Sequence, residues 1–218
     1  MIFDLWDTLV LWDVPASHLL YAQMAAHAGI DADVMTRAWQ DTHLERSTGP
    51  LVENMVAVLE RAGADSTHVD ALSEMRRTHT REALVAREGA IETLQELKRR
   101  GFKVGLISVC SGDVEDVWDD TTLAPHFDDV VLSCAVGLRK PDPAIYRLAC
   151  ERLGVEPGVC LFVGDGANDE LAGADRVGMK AVCILRPGAD EALWPEARGW
   201  KPTIRAVPEV LELAQQVD

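Results

Sequence analysis

The chain has 218 residues, 48% hydrophobic and 26% charged, with mean hydropathy near zero. That size and balance suit one full core with a smaller accessory domain, and exclude fibrous and largely disordered classes. A formal charge of −15 and a pI near 4.7 argue against binding to nucleic acid or anionic membranes, whose phosphates such a surface repels.

In chain order, Met1 to Leu5 reads as a short apolar strand delivering Asp4 to a turn. A strand of about five or six residues is usual, so this central strand is short or the gene start lies upstream. From Ala16 to Arg87 apolar residues recur at helical spacing, as in Leu19, Leu20 and Met24 or Val52, Met55, Val56 and Leu59. The reading is an inserted bundle of about four helices. His18, His27, His43, His68 and His79 fall within it and read as solvated or half-buried helix residues.

Beyond Gly101 the pattern changes to short β-rich runs, Lys103 to Ser108, Val130 to Ser133, Val159 to Val163 and Ala181 to Leu185, alternating with amphipathic helices. This is the rhythm of a parallel α/β sheet. Basic residues followed by Gly101, Gly154 and Gly178 mark successive helix ends, and Asp142-Pro143 marks a helix start. The expected architecture is a Rossmann-like three-layer core of residues 1–13 and 88–218, with an all-helical cap of residues 14–87.

Cys110, Cys134, Cys150, Cys160 and Cys183 are odd in number and lack a CxxC pair, so they read as buried small hydrophobes rather than disulfides or zinc ligands. No apolar run is long enough to span a bilayer and no secretory leader is visible, so a cytoplasmic location is expected.

In an open parallel sheet, residues ending different strands converge beyond the C-terminal edge. Asp4, Ser108, Lys140 and Asp165 each sit at or soon after such an end. The segment Gly164-Asp165-Gly166-Ala167-Asn168-Asp169 adds a second carboxylate four residues after Asp165. Asp4, Asp165 and Asp169 would repel one another unless a divalent cation and Lys140 offset their charge. Magnesium fits: Asp4 and Asp165 as direct ligands, Asp169 direct or through water, and the backbone carbonyl of Trp6.

Together these segments resemble the haloacid dehalogenase superfamily, in the branch with a helical cap after the first motif. Asp4-Leu5-Trp6-Asp7-Thr8 matches the family's Asp-x-Asp-x-Thr except at its third position, and Ser108 ends the second motif. Lys140-Pro141-Asp142-Pro143 with Ile145-Tyr146 matches the third, and Gly164-Asp165 with Asp169 the fourth. The resemblance implies a hydrolase in which Asp4 attacks phosphorus and forms an aspartyl-phosphate that water then cleaves. It further implies that magnesium and Lys140 neutralise the transferring group, and that Thr8, Ser108 and Val109 help hold it. The expected partner is a small phosphorylated molecule, handled by a monomer or homodimer.

Trp6 is the departure. Phosphatases of this family carry there a second aspartate that protonates the leaving oxygen and then activates water. Indole has one N–H and no titratable proton near neutral pH, so simple alkyl phosphates should be poor substrates. Three readings follow: phosphoryl transfer to water with a good leaving group or a proton from elsewhere, carbon–halogen hydrolysis as in relatives with an aromatic at this position, or a weakened binding or regulatory protein. The acidic pair Asp165 and Asp169 ranks the first highest, and Val109 after Ser108, where dehalogenases place Asn, counts against the second. Asp7 is expected to be structural. Trp12, Arg37, Arg46 and Arg81 are candidates to reach the site, although Trp12 and Trp39 read better as core or cap-interface residues.

Overall fold

Strand alternation organises the protein, whose computed structural model describes residues 1–215. The strands β1 (Ile2–Phe3), β2 (Gly105–Ser108), β3 (Asp129–Leu132), β4 (Leu161–Gly164), β5 (Lys180–Ile184) and β6 (Thr203–Ile204) form one parallel sheet in the order β3-β2-β1-β4-β5-β6. Phe3, Leu106, Leu161, Val163, Val182 and Ile184 point to one face, where they pack with α6 (Ala90–Arg99) and α11 (Val210–Ala214). Ile2, Ile107, Phe162, Ala181 and Cys183 point to the other, against α9 (Pro143–Leu153) and α10 (Glu170–Arg176). Burial on both faces makes these strands near-continuous apolar runs. The result is a Rossmann-like three-layer α/β core.

All the strands expected from sequence are present, with ends displaced by one or two residues. β6 was not expected, because Thr203–Ile204 is too short to show a period. β1 is shorter still than its sequence suggested, yet its pairing is extended. Gly105 N–H donates to the Met1 carbonyl at 2.8 Å and Asp4 N–H to the Val163 carbonyl at 2.8 Å. The second of these bonds fixes Asp4 beside the end of β4, in the crevice where strand order reverses.

Between β1 and α6 lie α1 (Val14–Ala28), α2 (Ala32–Asp41), α3 (His43–Arg46), α4 (Leu51–Ala62) and α5 (Val69–Ala83). The one-turn α3 is the element beyond the expected four. Local signals explain the boundaries: Asp13 caps α1 by accepting from Ala16 N–H at 2.9 Å, and Gly29 closes it in the left-handed region at φ 68°. Leu20, Met24, Met35, Met55, Leu59 and Leu72 form a core of their own.

Several contacts seat this insert, two of them in tight backbone settings. Arg87 donates to the carbonyls of Asp7, Thr8 and Leu185 at 3.1–3.2 Å, tying the insert's exit to the turn after β1. Gly112 opens α7 (Gly112–Val117), where a Cβ would stand 2.4 Å from the Leu51 nitrogen, so the insert and the core meet there backbone to backbone. The cysteines are all buried and free. Among the described residues no helix is long and apolar enough to cross a membrane.

Candidate active site

The turn after β1 places Asp4 at the floor of a cavity of about 700 Å³ between the sheet edge and the helical insert. Asp4, Asp165 and Glu170 are buried there, and each offers an oxygen within 4.8 Å of the others'. Lys140, 7% exposed, bonds both Asp4 Oδ1, at 2.5 Å, and Glu170 Oε2. Burial alone would lower the Lys140 pKa, but the flanking Asp4 and Glu170 outweigh it and hold the ammonium charged far above neutrality.

The carboxyls show the opposite strain. Burial, then the charge of Asp4, pushes Asp165 up to about 6. Burial pushes Glu170 up to about 8, with Asp4 and Asp165 adding to the effect and Lys140 opposing it. Three acids around one ammonium leave a deficit of positive charge. A hard divalent cation corrects that deficit, and the donor set, all carboxylate oxygen, is the kind magnesium takes.

The acid that joins Asp4 and Asp165 beside Lys140 is Glu170, and Asp169 lies outside that cluster. Asn168 and Asp169 both adopt left-handed backbone, at φ 54° and 57°, so the chain turns outward and leaves Asp169 exposed before α10 starts. Asp169 makes no side-chain cap either. Glu170 folds back beneath the end of β4, where its Oε1 accepts from Gly166 N–H at 3.0 Å. A Cβ at position 164 would stand 2.1 Å from that oxygen, so Gly164 is what makes room for it. Sequence reasoning missed Glu170 because the left-handed pair cannot be read from spacing. The available signal was Gly164 followed by an acid that opens a helix whose next four residues, Leu171 to Ala174, are apolar.

The other expected site residues divide. Trp6, Val109 and Lys140 line the cavity with Asp4 and Asp165. Thr8 and Ser108 lie behind the wall, fully buried, and among the described residues neither hydroxyl oxygen has a hydrogen-bond partner. Ser108 thus lacks the backbone bond a turn hydroxyl would make. Trp6 stands edge-on to Trp12, ring centroids 4.8 Å apart.

Asp7 lines the same cavity, although strand alternation would aim it away from Asp4, and is held by Trp12 N–H at 3.0 Å and Arg186 at 3.1 Å. The alternation fails because Asp7 sits in a left-handed turn at φ 54°. Trp194, unforeseen, donates its indole N–H to Asp165 Oδ2 at 2.5 Å and orients that carboxylate. Trp12 and Trp39 both reach the cavity, whereas Arg37 and Arg81 are exposed and off it.

A parallel sheet with an acid at the end of its first strand, a buried lysine and a strand-end acid cluster defines a class of hydrolases. The haloacid dehalogenase-like hydrolase family model matches residues 1–175, and the chain belongs to that family. It is similar to haloacid dehalogenase-like hydrolase domain-containing protein 3 of Mus musculus, 35% identical over 60% of this chain and 51% of that protein. The match thus spans about half the length of that relative. It is also similar to a phosphoserine phosphatase of Thermus thermophilus, 30% identical over 88% of this chain and 92% of that one. A crystal structure of a dehalogenase superposes with TM-score 0.65 at 27% identity, covering 97% of this chain and 95% of that one. Phosphatases and dehalogenases both occur among the relatives, so family membership alone does not choose between them.

Proposed function

We propose that the protein is a magnesium-dependent phosphohydrolase acting on a small phosphorylated metabolite, with residues 14–87 as the cap over its site. The observation that carries this reading is the buried trio Asp4, Asp165 and Glu170 around the single ammonium of Lys140. Carbon–halogen displacement expels a halide and needs no cation at that edge, so a surplus of buried acid there would go unused. Phosphoryl transfer uses it.

Asp4, Asp165, Glu170 and the Trp6 carbonyl would hold magnesium, which when bound supplies charge neutralisation to the phosphoryl oxygens. Asp4 Oδ attacks phosphorus in line, the P–O bond to the leaving group breaks, and the aspartyl-phosphate is then cleaved by water. Lys140 orients Asp4 through its hydrogen bond to Oδ1, and it faces the transferring oxygens. Val109 closes the wall beside them. Ser108 and Thr8 keep unbonded hydroxyls just behind that wall, available to the phosphoryl oxygens on a small shift.

Trp6 provides no proton at the leaving group, and Asp7 is tied to Arg186 and Trp12, so favoured substrates are acyl phosphates, aryl phosphates and anhydrides. The test is a panel of acyl, aryl and sugar phosphates and 2-haloacids, with magnesium or with chelator. Magnesium-dependent phosphate release is expected, fastest from the acyl and aryl members. Halide release in chelator would overturn the proposal.

A further inference from the structure

The cap side of the cavity carries a charge that the strand-end chemistry does not use. Arg46, the last residue of α3, and Arg76, in α5, line the cavity while only 5% and 3% exposed. Arg46 donates from Nε to Thr42 Oγ1 at 3.1 Å and from Nη2 to the Trp39 carbonyl at 2.7 Å, both neutral oxygens. Among the described residues no carboxylate pairs with it, and its guanidinium carbon lies 3.6 Å from the Trp39 ring centroid. Burial, then the charge of Arg76, lowers its pKa to about 10.

Arg76 is half satisfied. Its Nη2 meets Asp113 Oδ2 at 2.5 Å, while its Nε and Nη1 are buried without a hydrogen-bond partner among the described residues. Asp113 also accepts from Thr80 and Ser111, so it is committed to this corner. Two guanidinium groups against one carboxylate leave a buried excess of one positive charge, the reverse of the deficit at the strand ends. Burying such a charge without an ion partner is costly, and an arriving anion offsets the cost.

We infer that Arg46 and Arg76 receive a second anionic group of the substrate, a carboxylate, so that the molecule hydrolysed is a phosphorylated carboxylic acid. The single positive excess matches a monoanion, whereas a second phosphate would leave the corner net negative. A carboxylate is also planar, as guanidinium is, and can accept from two N–H groups at once. Trp39 and Tyr21 beside the pair offer apolar walls for the carbon chain between the two anions. Arg46 is placed by Asn54, whose amide donates to the carbonyls of Thr48 and Gly49 at 3.2 and 3.0 Å and braces the turn after α3. The inference rests on the phosphohydrolase reading for the other end of the substrate.

The test measures binding apart from turnover. With magnesium present, calorimetry compares 3-phosphonopropanoate with propylphosphonate on wild type, Arg46→Gln and Arg46→Lys, each first shown to fold by its melting curve. Wild type should bind the carboxylate-bearing ligand at least about 10-fold more tightly, a preference that Arg46→Gln cuts to about 2-fold and Arg46→Lys partly restores. Binding of propylphosphonate should be the same in all three. Equal binding of the two ligands by wild type, or an equal loss of both in Arg46→Gln, overturns the receptor. Phosphate release from phenyl phosphate and its carboxylate-bearing counterpart 4-carboxyphenyl phosphate, whose leaving groups need no proton donor, is followed in parallel. No release alongside a preserved carboxylate preference sinks the phosphohydrolase reading and leaves the receptor standing.

Discussion

At the scale of residues, the sharpest distinction is between neighbours. Glu170 is buried against Lys140, whereas Asp169 points to solvent. Removing one acid from a site that holds a cation typically costs about 10- to 100-fold or more in affinity or activity. Glu170→Gln should therefore lose that much magnesium-dependent phosphate release, and Asp169→Asn should stay within about 3-fold of wild type on the same scale. Equal losses in steady-state assays would return the metal role to Asp169. Trp6→Asp makes a second comparison. Supplying the missing proton donor should raise kcat on alkyl phosphates by about 10- to 100-fold, with little change on acyl phosphates, whose leaving group needs no proton. No gain would mean that proton transfer is solved elsewhere in the pocket.

At the scale of elements, turns decide where chemistry sits. The β-rich runs and the helical insert were legible because their periods are long enough to count, and Asp4, Lys140 and Asp165 were legible because strand ends converge. Glu170, the sixth strand and Arg76 were not. The first depended on two left-handed residues, the second on pairing between distant segments, and the third on a buried contact to Asp113 across the insert boundary. Gly164 tests the turn directly, since its missing Cβ is the space Glu170 occupies. Gly164→Ala should cost about 1–3 kcal/mol by overpacking and, in metal titrations, weaken magnesium binding as well. Arg87 tests the joint between insert and core: Arg87→Met leaves carbonyls of the β1 turn without their donor, and chemical denaturation should show a loss of about 1–3 kcal/mol.

At the scale of the whole molecule, the two buried charge groups impose opposite pH dependences on stability. Asp165 and Glu170 titrate above ordinary carboxyls, so at neutral pH without metal the folded protein binds more protons than the unfolded chain. Folding stability then rises as pH falls from about 8 toward 5. Asp113 works the other way. Burial alone would raise its pKa, but Arg76, Ser111 and Thr80 outweigh burial and hold it below the ordinary value. Its contribution is present above the ordinary carboxylate range near 4 and is lost as pH drops through its lowered folded value. Melting curves in chelator should therefore rise from pH 8 toward the acidic side and fall at lower pH, where Asp113, together with His43 and His79, which desolvation and neighbouring arginines hold below their ordinary values, favours the unfolded chain. Magnesium, by binding the ionised acids, should stabilise most at the alkaline end and move that peak upward. Asp113→Asn should flatten the acid limb while leaving the magnesium response intact, because no hydrogen bond or ion pair among the described residues joins Asp113 to the Lys140 cluster. A chelator profile that peaks at pH 8 would contradict the buried acid surplus on which the metal site rests.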